Sequence, residues 1–390
     1  MKELHIGLVL SALPSYSETF IVSKIRCLVE SRFIVSLFVD NYSKYCSIDI
    51  DIPIYYQPTV TRKYMLPIII IPLIFKNPIV VFNFIRHERI ANRSWVNIIK
   101  NIIMNSHILS KRLNWIHFEF ATIGINRENI ARAMRIKSAV SFRGFDIGLY
   151  PHNHQGCYNL LWKTIDKVHT ISDDLYQQAI DLGLNPDIPM KKVTPAIDLD
   201  IFKSNNYLSL HNPLRILFVG RLTWKKGIEY SLRSLAFLKK EDIDFEYRII
   251  GNGDYKEVIQ FAICQLGLND NVILKGQLSH EDVKHEMEWA DIYIQPSIQE
   301  GFCNAVLEAQ AMGLLCIVTD ADGLSENILD EETGWVVPKR SPKQLFEKIK
   351  HILSFSLIDL NQIRENAKNR VNNEFNLNKQ KKRFINFYQS

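Results

Sequence analysis

The residues best suited to chemistry in this 390-residue chain lie in its second half. Gly220-Arg221-Leu222-Thr223-Trp224-Lys225-Lys226-Gly227 brings three cations into a turn that follows an apolar run and precedes a helical pattern. Fixed cations beside the unpaired N–H groups of a helix start suit a diphosphate: Arg221 can bind bidentately and Lys226 acts as a point charge. A basic surface loop would have the same composition, so this stretch alone leaves both readings open. Gly251-Asn252-Gly253-Asp254 begins like a dinucleotide fingerprint, but Lys256 stands where the third glycine belongs, and an oxidoreductase reading loses its support. Gly251 and Gly253 instead suit a tight turn that lets a nucleotide base approach the backbone.

The sharpest pattern runs from Pro296 to Glu308, where Glu300 and Glu308 flank Gly301-Phe302-Cys303-Asn304. A helix beginning near Asn304 would carry Glu308 on its first or second turn, while Glu300 sits in the preceding loop and Gly301 permits an unusual backbone turn. Both carboxylates then face a ligand whose phosphates rest on the helix N–H groups, one accepting from vicinal ribose hydroxyls and the other from sugar hydroxyls. Thr319-Asp320-Ala321-Asp322-Gly323 has the Asp-x-Asp spacing of a metal site, yet the same spacing recurs at Asp49/Asp51 and Asp198/Asp200. No other oxygen ligands cluster nearby in sequence, so a structural turn and no metal are expected.

Loops of this kind act together only if strands deliver them to one edge. From Leu214 onward, short β-rich runs (Arg215 to Gly220, Phe245 to Gly251, Asn271 to Gly276, Asp291 to Ser297, Leu314 to Asp320, Trp335 to Pro338) alternate with amphipathic segments. All four stretches above follow strands, where open parallel sheets bind ligands. The first half repeats the theme, with strands expected at Leu4 to Ala12, Ile34 to Asp40, Trp115 to Phe120, Ser138 to Arg143, Val168 to Ser172 and Lys192 to Ala196. Two doubly wound α/β domains follow, 1–205 and 206–374, divided within the polar stretch 203–213. A basic segment with spaced aromatics, 375–390, reads as a helix packing back on the first domain.

An apolar content of 47% over this length supports two separate cores. The net charge is only +5 and the cations are not gathered into a tail, so no nucleic-acid partner is expected. Between Thr61 and Lys137, however, 13 Lys and Arg stand against three acids, a local excess of ten. That suits an anionic partner or an anionic membrane surface, or else a solvated basic face. Met65 to Ile85 is apolar but broken by Pro67, Pro72, Lys76, Asn77 and Pro78, short of the roughly 20 residues a spanning helix needs. Interfacial attachment or a buried helix pair remains, with Arg86, Arg89 and Arg93 suited to headgroups. Six scattered cysteines without a Cys-x-x-Cys pair fit a reducing compartment, and Glu3 and His5 interrupt what a signal peptide would need. The expectation is a cytoplasmic protein, peripheral at the inner face of the cell membrane.

Taken in order, Val219-Gly220-Arg221-Leu222 with Lys226-Gly227, Gly251-Asn252-Gly253, Glu300 through Glu308, Ala311-x-Gly313 and Thr333-Gly334-Trp335 make the second half resemble the donor domain of retaining glycosyltransferase family 4. That family has the GT-B fold, two facing Rossmann-like domains with parallel sheets. The resemblance implies transfer of a sugar, with retention, from a nucleotide-diphosphate sugar to a hydroxyl of a lipid-linked precursor of exopolysaccharide, capsule or O-antigen. It implies that Arg221 and Lys226 hold the donor diphosphate, that Glu308 holds the ribose, that Glu300 contacts the transferred sugar, and that the backbone of Phe302, Cys303 and Asn304 completes the phosphate cradle. Glu300, Arg221 and Lys226 carry the catalytic roles; the donor is a substrate, and no resident cofactor is implied. In the first half, Pro14 to Phe20 and Ser141 to Asp146 resemble polysaccharide-building members, which points to Ser17, Glu18, Arg143 and Asp146 on the acceptor side. Family members often have His-Gly where this chain has Arg143-Gly144, so Arg143 either neutralises an acidic acceptor or pairs with Asp146. His117 and Glu119 are acceptor-side candidates or core-edge residues. Two rivals share the architecture: a nucleotide-sugar epimerase and a catalytically silent glycan-binding subunit.

Overall fold

A computed structural model describes residues 4–14, 19–42, 51–59, 65–203 and 209–389. The chain forms two units, each an α/β sheet with helices. The first comprises residues 1–193 with the C-terminal stretch from Lys381. Its strands are β1 (His5–Leu10), β2 (Ile34–Val39), β3 (Ile54–Tyr56), β4 (Trp115–Phe118), β5 (Lys137–Phe142), β6 (Lys167–Thr170) and β7 (Met190–Lys192). They lie in the order β3-β2-β1-β4-β5-β6-β7, every pair parallel. Residues such as Ile6, Leu8, Val9 and Leu10 are buried whichever face they point to, as a parallel sheet covered on both sides requires.

The second unit, residues 194–380, holds β8 (Leu214–Val219), β9 (Phe245–Ile250), β10 (Val272–Gly276), β11 (Ile292–Gln295), β12 (Leu315–Thr319) and β13 (Trp335–Val337). Their order is β10-β9-β8-β11-β12-β13, again all parallel. The direction of winding reverses at β8, which has β9 on one side and β11 on the other. The loops leaving β8 and β11 therefore sit at the switch point of the carboxyl edge, the usual place for a ligand in such a sheet. The helix Ile228–Lys240 covers one face through Leu232, Leu235 and Leu238, which join Phe218, Tyr247 and Trp335 in the core.

The sequence leads to two doubly wound units, and these form. Details differ at the edges. Strand β3 is a three-residue, half-exposed edge with too little apolar alternation to announce itself. β7 ends where the expected Lys192 to Ala196 strand begins, and Val193 closes the ladder by donating its N–H to Thr170 O at 3.0 Å. Residues after Val193 go with the second unit, ahead of the polar stretch 203–213, because Ile197 bridges Asn376 and Gln380 Nε2 donates to Thr194 O at 2.9 Å. In the helix Leu377–Gln389, Phe384, Phe387 and Tyr388 enter the core built by β1 and β2.

Candidate functional site

Backbone hydrogen bonds stitch the loops after β8, β9 and β11 into one surface in the second unit. Leu222 N donates to Asn252 O at 2.9 Å, Tyr255 N returns to Leu222 O at 3.0 Å, and Ile298 N donates to Lys225 O at 2.7 Å. Such close approach needs glycine. Gly251 has φ +136°, and a Cβ there would stand 1.9 Å from Gly220 O; a Cβ at Gly253 would stand 2.2 Å from Leu222 O, and one at Gly227, with φ +59°, 2.2 Å from Pro296 O. The space freed by Gly251 and Gly253 is thus filled by the neighbouring cationic loop rather than turned toward a base. Gly301, read as the unusual turn, is not among the left-handed glycines.

The charges converge on that surface. Lys226 Nζ pairs with a carboxylate oxygen of Glu300, both side chains being largely enclosed. Burial pulls the Lys226 ammonium down, but the adjacent Glu300 outweighs it and the net displacement is upward, so the cation is fixed in its charged form. Lys225 goes the other way: burial lowers it, and the neighbouring charges of Lys226 and Arg221 add to that against the pull of Glu300. Arg221 is exposed on the same loop. Cys303 is buried, and the charges of Lys226, Glu300 and Glu308 all act on its thiol, which burial pushes up to about 12. Arg221, Lys226, Glu300 and Glu308 are therefore gathered in one region. Glu308 sits on the second turn of the helix Asn304–Ala311, half-buried, and burial pushes its carboxyl up to about 7. Its side chain makes no hydrogen bond or ion pair with any of the described residues.

The start of that helix is held by a residue the sequence reading missed. Asn327, fully buried, accepts from Cys303 N at 3.1 Å and donates to Cys303 O at 2.9 Å. The Cys303 N–H is thereby occupied, which removes it from the proposed phosphate cradle. The N–H groups of Asn304 and Ala305 have no acceptor among the described residues. Phe302 is buried with its ring 5.6 Å from that of Phe375. A lone Asn 24 residues downstream of Cys303 carries no sequence signal for this bond. Farther along the edge, Asp320 Oδ1 accepts from Lys339 N at 2.7 Å and Asp322 lies 3.6 Å from Lys339 Nζ, the structural turn expected there.

In the first unit, Ser17 and Glu18 lie outside the described residues. His117, Glu119 and Asp146 are completely buried, not at a surface that could receive an acceptor. Glu119 is clamped by Lys24 at 2.5 Å and Arg143 at 2.7 Å. Burial alone would raise the Glu119 carboxyl, but the two cations hold it well below the usual carboxylate range. Arg143 therefore pairs with Glu119 and not with Asp146, which instead accepts backbone N–H groups of Arg143, Gly144 and Ala121. The chain of contacts continues from His117 to Ser141 Oγ at 2.8 Å, from Ser141 to His169 at 2.7 Å, and from His117 Nδ1 to Tyr388 Oη at 2.6 Å. Burial, with Lys24 and Arg143 nearby, keeps both imidazoles neutral well below their ordinary value. Tyr388 belongs to the aromatic C-terminal segment expected to pack on the first domain, whereas Lys24 and His169 carry no such signal; only the oddity of one lysine inside the apolar face of the helix Thr19–Glu30 could have drawn notice.

Comparison with known proteins points to one family. Residues 201–370 match the family model described as glycosyl transferases group 1. The chain is 30% identical over 272 residues to the amylovoran biosynthesis glycosyltransferase of Erwinia amylovora, covering 67% of this chain and 66% of that protein. It is 26% identical over 271 residues, with the same coverage, to a putative colanic acid biosynthesis glycosyltransferase of Escherichia coli K12. The match thus spans about two thirds of these curated relatives' length. Among solved structures, a glycosyltransferase from Rickettsia africae superposes with a TM-score of 0.73 at 18% identity, over 100% of this chain and 98% of that one, a likeness of fold.

Proposed function

The chain belongs to the group 1 glycosyl transferases, and from that premise we propose that it transfers a sugar, with retention, from a nucleotide-diphosphate sugar to a hydroxyl of a lipid-linked polysaccharide precursor. The carrying observation is the Lys226–Glu300 pair at the switch point of the second sheet, with Arg221 on the same loop and Glu308 on the second turn of the adjoining helix. Transfer breaks the bond between the anomeric carbon and the diphosphate oxygen, and negative charge develops on the departing group. Arg221, Lys226 and the N–H groups of Asn304 and Ala305 are placed to meet that charge without a metal ion. Glu300, paired with Lys226, accepts hydroxyls of the transferred sugar, and Glu308 accepts those of the ribose. The acceptor oxygen forms the new bond on the face the diphosphate leaves, and its proton passes to the departing phosphate.

The relatives' printed roles in amylovoran and colanic acid biosynthesis support an extracellular polysaccharide precursor as the acceptor class. Work on such a precursor puts the protein at the inner face of the cell membrane. The test is incubation with a panel of nucleotide sugars and lipid-linked oligosaccharides, followed by mass and anomeric analysis. A glycan extended by one sugar in the donor's anomeric configuration is the expected product. Inverted product would overturn retention, and isomerised donor without glycan extension would replace transfer by epimerisation.

A further inference from the structure

Residues 65–104 fold into three helices, Met65–Lys76, Pro78–Ile90 and Trp95–Met104, that pack on one another and on the helices Ser106–Leu109 and Ile130–Met134, with Leu73, Val81, Phe84, Ile98 and Ile102 buried. Their outward faces are apolar, the reverse of an ordinary surface helix. Ile68 and Phe75, seven apart, stand on the first; Ile79 and Phe82, three apart, on the second; Trp95 and Val96 open the third. Phe75 is 83% exposed and Val96 76% exposed. A monomer rarely shows water so many large apolar side chains in one place.

The charges between them have one sign. Lys76, Arg86, Arg89 and Lys100 are exposed, whereas Glu88, the sole acid between residues 65 and 104, is buried. Glu88 is occupied by Arg93 at 3.5 Å and by the amides of Asn101 and Asn129. The Arg89 guanidinium lies 5.2 Å from the Trp95 ring centroid, setting a cation beside an aromatic ring as headgroup-level anchors do. No single helix is long and apolar enough to cross a bilayer among the described residues, and the first two meet at a bend of 111°. Short apolar helices rimmed only by cations suit a position within the headgroup layer.

We propose that the outer face of these three helices is a docking surface for an anionic lipid bilayer, into which Phe75, Ile79, Phe82 and Trp95 insert while Lys76, Arg86, Arg89 and Lys100 meet lipid phosphates. The inference goes beyond the transferase reading, since it rests on a different unit and on none of the donor-site residues. A second copy of the chain is the less suited occupant, because two such faces would oppose cation to cation.

The test is co-sedimentation of the full chain with vesicles of phosphatidylcholine, with and without phosphatidylglycerol, for the wild type, Phe75→Ser/Phe82→Ser and Arg86→Ser/Arg89→Ser. The wild type should bind the anionic vesicles, and salt should weaken that binding. Each exposed cation is worth roughly fivefold at such a surface, so the arginine pair should weaken partition about 25-fold. Loss of two inserted phenylalanines should weaken it about 100-fold or more. Melting temperature and nucleotide-sugar binding should not change in either variant, which separates failure of docking from failure of the donor site. Equal binding to neutral and anionic vesicles, unchanged binding by the phenylalanine variant, or a wild-type dimer that this variant dissolves would overturn the proposal.

Discussion

Replacing Glu308 by Gln removes a carboxyl that burial pushes up to about 7, while keeping its size and one hydrogen-bond acceptor. With a value near 7, about one tenth of the wild type is ionised at pH 6 and about nine tenths at pH 8. Only the carboxylate can accept from two ribose hydroxyls at once with both oxygens, so donor affinity in the wild type should rise about ninefold across that interval. The variant should bind donor with an affinity that is flat in pH. Calorimetric titration of the intact nucleotide-diphosphate sugar is the right assay, because its bridging phosphates are diesters that do not titrate there, unlike the terminal phosphate of a free diphosphate. The same group leaves a mark on stability. Its folded value lies above the ordinary 4.5, so folding favours the protonated form; that contribution is full below about 4.5 and is lost as pH rises through about 7. At about 1.4 kcal/mol per pH unit the window sets a ceiling of about 3 kcal/mol, reduced because the residue is only half-buried. Glu308→Gln should therefore melt higher than the wild type at pH 8 and level with it near pH 4.5. Parallel affinity curves for the two proteins, with no melting difference at pH 8, would refute the assignment.

Glu300→Gln and Arg221→Ala should each lower turnover at saturating donor by about 100-fold, the usual cost of losing a contact to transition-state charge; near-normal transfer by both would dismiss the donor-site assignment. Gly251→Ala places a Cβ where Gly220 O stands, at a φ of +136°, so calorimetry should show a loss of about 2 kcal/mol or more, and an unchanged melting temperature would contradict the loop packing. Lys24→Met leaves Glu119 with Arg143 alone and should cost about 3 kcal/mol at neutral pH by denaturant titration. Because the Glu119 carboxyl is held below its ordinary value, this stabilisation is full above about 4.5 and is lost as pH falls through the folded value, so the penalty should shrink in acid; a penalty constant in pH would place the effect elsewhere.

The parts of this molecule legible in the sequence are those written in local pattern. The apolar runs around Ile216 and Ile294 name buried parallel strands because both faces must be apolar, and glycines and cations after them name loops. Glu300 and Lys226 were readable as ligand-facing because each follows a strand, yet their direct pairing across 74 residues was not, since it depends on β8 and β11 being neighbours. Asn327 was invisible for the same reason: its role comes from a turn brought beside Cys303 by the fold. Arg143 misled. Its nearest acid in sequence is Asp146, but a helix start turns that carboxylate onto backbone N–H groups, and the partner comes from β4's end, 24 residues away. His117 and Glu119 stand at the end of a strand as the pattern says, and the aromatic segment 375–390 reads as a helix packing on the first domain, but that its Phe387 and Tyr388 close over His117 depends on contacts distant in sequence.

Two glutamates eight residues apart thus end with different chemistry because the fold gives them different neighbours. Glu300 lies on a loop beside a lysine whose backbone is tied to the same surface, so its carboxylate is matched by the Lys226 ammonium before any ligand arrives. Glu308 is carried on the second turn of a helix, away from any cation that pairs with it, and nothing offsets its partial desolvation. For a proposed donor site this division is useful. The carboxylate nearest the reacting carbon must keep its charge as the diphosphate leaves, and the lysine that secures it is also positioned to receive that diphosphate. The carboxylate farther along, needed only to grip hydroxyls that do not react, can titrate without disturbing the bond-breaking step. Donor binding should therefore respond to pH near 7 while the chemical step does not, so kcat measured at saturating donor should stay level between pH 6 and 8 as KM for the donor falls. A kcat that follows the same curve as KM would mean that Glu308 takes part in the chemistry itself.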